Sequence, residues 1–403
     1  MSRDEFGRPD LERYQRPALI VGVAGLALAV VGALFDPARF FRAYLFAYLF
    51  WLEIALGCLA IVMLIYFIGS TWGLAMQRFL EAGTTTLPLM AVLFLPLLLG
   101  LDELYLWTRP EVVAADPLLQ HKQLYLNVPF FLARLALYFA IWIGLAFFLN
   151  RWSREQERDD NPALGWRLRR ASGPGIVLYA LAATFASFDW MMSLEPHWFS
   201  TIYGMMFVTG QVLAALAFVT MLVAQHASRP PLSDVITLRY LNDLGNLLLA
   251  AVLSWAYIAY SQFVVIWFGN IAEETPWYLR RMSDGWGWIA IALVVFHFAA
   301  PFVLLLFRGI KRQARYLLAV AAVIFFMHLV NVYWMIMPAF YPVTLTLHWL
   351  DIVLPVGIGG LWIAVYLRQL KGRSLLPGLV QTQESLGAEK PEAVGHYSSG
   401  PLE

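Results

Sequence analysis

The sequence predicts an all-α polytopic membrane protein with ten transmembrane helices. Three observations carry this. The chain is 60% hydrophobic and only 14% charged, against about 25% charged in an average soluble domain. Apolar stretches of about 20 residues, enough to cross a bilayer, recur from end to end. Basic residues fall on alternate sides of those stretches. With ten spans drawn, 21 of the 28 Lys and Arg lie on the N-terminal side and 6 on the other, with Arg134 inside span 4. By the positive-inside rule both termini are then cytoplasmic, and removing one span scrambles the asymmetry.

Residues 1–16 are polar and basic and read as a cytoplasmic N-terminus, with no signal-peptide cleavage site after the first apolar run. The spans are expected near 17–35, 44–72, 84–105, 128–150, 173–193, 200–225, 242–270, 286–307, 315–337 and 347–367, forming one transmembrane domain over 17–367. The Arg-rich loop 151–172 and the tail 368–403 fall on the cytoplasmic side; the tail is rich in Gly, Pro, Ser and Glu and is expected to be disordered. Asp189-Trp190-Met191-Met192 closes span 5 and Tyr333-Trp334-Met335-Ile336-Met337-Pro338 closes span 9, each after an Arg-rich loop. That echo suggests two four-helix bundles, spans 2–5 and 6–9, flanked by spans 1 and 10.

Several classes are excluded. A β-barrel needs short alternating strands, which are absent. No stretch outside the spans is long enough for a soluble catalytic domain. Net charge is +1, which gives no footprint for nucleic acid. The one cysteine, Cys58, sits in an apolar run and reads as a small buried hydrophobe. One thiol cannot hold a cluster or structural zinc, and no metal site is expected.

Between spans 5 and 6, on the outer side, lies the hinge Phe188-Asp-Trp-Met-Met-Ser-Leu-Glu-Pro-His-Trp-Phe-Ser-Thr-Ile-Tyr-Gly204. Trp190, Trp198 and Tyr203 read as interface-belt aromatics. Pro196 breaks the helix, and Ser200 or Thr201 is placed to cap the next one. Glu195, His197 and Trp198 face outward as candidate contacts for a partner.

Ionisable groups inside the hydrocarbon cost about 2.5–3.5 kcal/mol each and mark function. In the first bundle they are Glu53, Asp102, Glu103, Arg134 and Asp189, all placed in the outer half. They read either as a lock in which Arg134 pairs with an acid, or as an outward pocket where a carboxylate takes a proton from a ligand hydroxyl. In the second bundle His297 and His328 lie at similar depth. They suit proton relay, axial haem ligation or a neutral hydrogen-bonded pair. His348 and Asp351, three apart on span 10, share one face and are further relay candidates. The inner half shows few acids, with Tyr66, Ser70 and Gln77 as neutral stepping stones and Asp243 near the end of span 7.

The hinge, followed by Met205-Met206-Phe207-Val208-Thr209-Gly210-Gln211, resembles the membrane subunits of bacterial alternative complex III, of the NrfD/PsrC-like polysulfide reductase membrane-subunit family. Length and orientation resemble the F-type subunit. The resemblance covers spans 2–10 and implies a bacterial inner-membrane subunit of a complex that oxidises menaquinol or ubiquinol. It implies no haem or cluster in this chain. It implies a paralogous C-type membrane subunit, and partner subunits on the outer face carrying haem c and iron–sulfur clusters. It also implies quinol near the outer face of the first bundle, where Glu53, Asp102, Glu103 and Asp189 lie, although the C-type paralogue is the usual quinol holder. Two other readings stand beside it: a stand-alone secondary transporter and a diheme cytochrome b-type subunit.

Overall fold

A computed structural model of the chain describes residues 8–69, 73–158, 162–229 and 232–371. Among these there is no strand, and ten helices are long and apolar enough to cross a membrane. They are span 1 Glu12–Phe35, span 2 Pro37–Ile68, span 3 Ala75–Leu98, span 4 Val128–Arg158 and span 5 Ala163–Leu194. Then come span 6 Tyr203–His226, span 7 Leu238–Gly269, span 8 Asp284–Leu306, span 9 Ala314–Ala339 and span 10 Leu350–Leu370. Ser70 and the tail beyond Lys371 lie outside the described residues.

Local chemistry sets the helix ends. Asp36 caps span 2 by accepting from the Arg39 amide at 2.9 Å, with Pro37 in the first turn, where its missing N–H costs nothing. Gly69 closes the same helix at φ 69°, its N–H donated to the Ile65 carbonyl. Span 3 is broken at Thr84–Thr86, whose hydroxyls donate to the carbonyls of Glu81, Ala82 and Gly83, each at 2.7 Å. Span 6 starts differently from expectation: Ile202 precedes it without a side-chain cap. Ser200 Oγ accepts from the Ile202 amide at 3.3 Å and donates across to Gln262 Oε1 at 2.6 Å.

The two bundles form as expected, and span 2 is their shared axis. It packs on spans 3 and 5 within its own bundle and on span 6 of the second. Gly57 permits that seam, since a Cβ there would lie 2.0 Å from the Gln211 carbonyl oxygen. Span 6 continues the second bundle against spans 7 and 9, and spans 1 and 10 lie against each other and against span 2. A site on the inward face of span 2 or 6 is therefore reached by both bundles.

Span 3 is the main displacement from the sequence reading. It starts at Ala75 and ends at Leu98, not at 84 and 105. Asp102 and Glu103 are thus left on a short helix, Leu101–Leu104, beyond the span, and Arg78 and Glu81 are drawn into it.

Candidate functional site

Span 2 carries Glu53 at its middle, roughly 24 Å from Pro37 at 1.5 Å per residue. The side chain points across the seam and not into the first bundle. Its Oε2 lies 2.7 Å from His328 Nε2 on span 9. Glu53 is 2% exposed and His328 0%. Gly210 on span 6 makes the room: a Cβ there would sit 3.1 Å from His328 Cε1 and 3.5 Å from Glu53 Oε2. The expectation that Glu53 joins the other first-bundle acids is corrected. Its register on span 2 turns it toward spans 6 and 9.

His297 completes the centre. It lies in a π-helical stretch of span 8, Leu293–Ala299. Pro301, four residues on, has no N–H to give the His297 carbonyl, so the α-helical ladder widens there. The His297 ring is 5.8 Å from that of His328 and 4.2 Å from that of Trp255, centroid to centroid. Neither His297 nitrogen, nor His328 Nδ1, has a hydrogen-bond partner among the described residues. A small cavity opens beside Glu53 and His328, wide enough for a water molecule. Trp255, Met191, Tyr203 and Met335 also line it. Trp255 stands edge-on to His297 and Glu53 sits on His328 Nε2, so the space around the two rings is closely packed. The hinge between spans 5 and 6 thus supplies the cavity's wall through Met191 and Tyr203.

Arg134 and Asp189 form a second centre, within the first bundle. Nε and Nη2 each donate to a carboxylate oxygen at 2.8 Å, and Tyr138 Oη donates to Oδ2 at 2.7 Å. Arg134 Nη1 donates to the Tyr125 carbonyl at 2.9 Å, and the guanidinium lies 3.8 Å from the Tyr125 ring centroid and 4.4 Å from that of Phe130. This bidentate pair is fully engaged. Of the remaining first-bundle acids, Asp102 is exposed and Glu103 half-buried; neither joins either centre.

The loops at the hinge end of the spans bind one another. Glu195 accepts from Arg280 Nη1 and Arg281 Nη2, both at 2.7 Å. Trp198 stacks on Trp277 with centroids 4.8 Å apart and donates to the Glu274 carbonyl at 3.2 Å. Both were candidates for partner contact and both are spent inside the chain. Trp190, Trp198 and Tyr203 are buried, which corrects their reading as belt aromatics. His197 remains 58% exposed on its side chain, 2.6 Å from Asp116. Burial pushes the Asp116 carboxyl up, but the bonds from His197 and from the Leu119 and Leu118 amides outweigh it and hold the group below the usual range. Asp351 is buried against Arg39, with Tyr333 Oη at 3.2 Å and the His348 amide at 2.9 Å. His348 thus meets Asp351 through its backbone and does not extend a side-chain relay.

One buried cluster is only partly anticipated: the sequence offers Tyr66 and Gln77 as neutral stepping stones but not Arg78, Glu81 or Ser153. Glu81 accepts from Arg78 Nη1, Gln77 Nε2 and Ser153 Oγ, each at 2.8 Å, and from Tyr66 Oη. Arg78 also pairs with Glu157. The signal was present: Gln77 and Arg78 precede Glu81 by four and three residues, hence share its helix face. They lay outside the span as drawn. The end of the bundle opposite the hinge therefore holds a buried acid. Nearer the seam, Tyr179 Oη donates to Gln211 Oε1, while Gln211 Nε2 has no partner among the described residues.

Among the described residues no group of three or more His, Cys, Asp or Glu could hold a metal ion. No protein-family model matches the chain, and no curated protein is significantly similar to it.

Proposed function

We propose that the chain is a bacterial inner-membrane subunit of a quinol-oxidising complex of the alternative complex III type, with both termini cytoplasmic. Its own part is to hold the outer haem c and iron–sulfur subunits and to exchange protons at Glu53, His328 and His297. The observation that carries the chemistry is the buried carboxylate–imidazole pair beside a water-sized cavity, with His328 Nδ1 and both His297 nitrogens lacking partners among the described residues. A buried polar atom without a partner costs about 1–3 kcal/mol. Water in the cavity offsets that cost for His328, which lines it, and supplies the proton carrier. An excess proton carried on that water passes to the Glu53 carboxylate, leaving neutral water behind; the His328 imidazole shares it through Nε2, and His297 stands next in line. The cavity suits water better than a quinol ring, so the ring belongs to the C-type paralogue in this reading. Menaquinol and ubiquinol serve the geometry equally.

Purification of the tagged chain from its native membrane tests this. The reading expects haem c and iron–sulfur partners to come with it and quinol oxidation to fall in Glu53→Gln. A chain that purifies alone is the transporter outcome, and a Soret band in the isolated chain is the cytochrome b outcome. Either overturns the proposal.

A further inference from the structure

The lipid-facing surfaces of this fold are not alike. Span 8 shows Ile291, Val294, Phe296 and Val303 outward, and span 1 shows Ile20, Val23, Val30 and Leu34. These are side chains that hydrocarbon accepts. Span 7 is as open, with only 28% of its apolar window buried against 72% for span 2. Its outward stripe has a different chemistry. Asp243, Asn246, Ala250, Leu253, Tyr257 and Tyr260 follow one another at alternating steps of three and four, and all six are exposed. That is the a/d spacing of a helix that packs along another helix.

Tyr257 is 69% exposed and Tyr260 67%. They lie roughly 5 and 10 Å from the midpoint of span 7, inside a hydrocarbon core of about 30 Å. Tyrosine belongs at the water interface, where its hydroxyl is wet. Here neither hydroxyl has a partner among the described residues. In lipid both would stay unsatisfied, and polar groups at such positions act as glue between helices.

We infer that the span 7 stripe is the docking face of a transmembrane helix from a different protein chain. That helix offers hydrogen-bond acceptors opposite Tyr257 and Tyr260 and a cation near Asp243, which is exposed and makes no ion pair among the described residues. A second copy of this chain fits less well. Parallel a/d packing about a two-fold axis sets each residue against itself, which places two Asp243 carboxylates together. The inference does not rest on the proton chemistry or on which redox groups the partner holds.

The test is a nitroxide on Tyr257→Cys, with Val294→Cys on span 8 as the lipid-facing control; native Cys58 is buried and does not compete. Oxygen collision is measured on the chain alone in nanodiscs and on the assembly purified from native membranes. The expected result is position 257 open in the isolated chain and shielded in the assembly, with position 294 open in both. Equal access at both positions in the assembly means lipid covers the stripe and overturns the inference. Shielding with spin–spin broadening in the isolated chain means a second copy and also overturns it. The double variant Tyr257→Leu, Tyr260→Leu is the companion measurement: it should insert normally and lose its membrane partner on purification, and full retention counts against the docking face.

Discussion

Two buried acid–base centres sit in this molecule, and they are built to opposite standards. Asp189 accepts from three donors, two guanidinium nitrogens and a tyrosine hydroxyl, with two aromatic rings over the cation. Glu53 has one imidazole, His328, whose Nδ1, like both nitrogens of the neighbouring His297, has no partner among the described residues, and a cavity beside it admits water. A saturated network rigidifies, whereas an open one keeps somewhere for a proton to go. Their positions agree with that division. The saturated pair ties spans 4 and 5 within one bundle. The open one lies on the seam between bundles, beneath the hinge.

The sharpest way to break the comparison is to unpair the saturated centre. Arg134→Leu or Asp189→Leu leaves a lone charge in a dry bundle and should cost about 3–5 kcal/mol of stability. The double variant should recover most of it. Thermal unfolding in detergent reads all three. Additive losses would show that the pair is not acting as a unit and would remove the contrast with Glu53.

Glu53→Gln asks the converse question. The amide keeps the shape and a bond to His328 but holds no exchangeable carboxyl proton. Proton transfer by a positioned group is worth about 10²–10⁴-fold, so in the quinol-oxidising complex proposed above turnover should fall by about that much. The melting temperature should stay close to wild type. A large stability loss with unchanged turnover would make Glu53 a lock like Asp189. His328→Asn should behave like Glu53→Gln, because each removes one half of the same pair.

These centres also show what the sequence can and cannot reveal. Ten spans were legible because a 30 Å core demands long apolar runs and the basic residues mark their ends. The Arg134–Asp189 pair was half legible, since a cation inside a span needs an acid nearby. The Glu53–His328 pair was not. Its members are 275 residues apart in sequence, and joining them needs the rotation of spans 2 and 9 about their axes, which apolar-all-round helices do not encode. Glu81 was hidden by the same hydropathy that found the spans. Gln77, Arg78 and Glu81 lower the local average, so hydropathy alone starts span 3 after them. Membrane helices carry polar residues where other helices cover them, and that covering is a tertiary fact. Asp102 and Glu103 failed in the opposite sense, counted inside a span that ends at Leu98.

The Glu81 cluster lies between the two extremes and sharpens the scale. It is rich in donors, like Asp189, but its cation is shared with Glu157. Glu81→Gln should therefore cost less than unpairing Arg134, about 1–3 kcal/mol for the donors left facing an amide. Chemical denaturation in mixed micelles checks it. A loss as large as that of Asp189→Leu would place the cluster among the saturated locks.

The smallest effect belongs to the exposed pair Asp116–His197, which ties the loop containing Pro110–Lys122 to the hinge. Lys122 Nζ reinforces the tie by donating to the Pro196 carbonyl at 2.6 Å. Asp116 is held below its unfolded value of about 3.9. A depressed carboxylate contributes stability that is fully present above the unfolded value and is lost as pH falls through the folded one. The loop should therefore stay closed at neutral pH and loosen only in acid. His197→Ala removes one of the bonds that depress Asp116 and leaves the Leu118 and Leu119 amides. The acid transition should then move upward toward the unfolded value without vanishing. Cleavage of the loop by pepsin, followed as pH is lowered, reads the shift. Identical profiles for wild type and variant would mean that the backbone amides alone set the Asp116 proton affinity, and that the hinge is held on this side by Lys122.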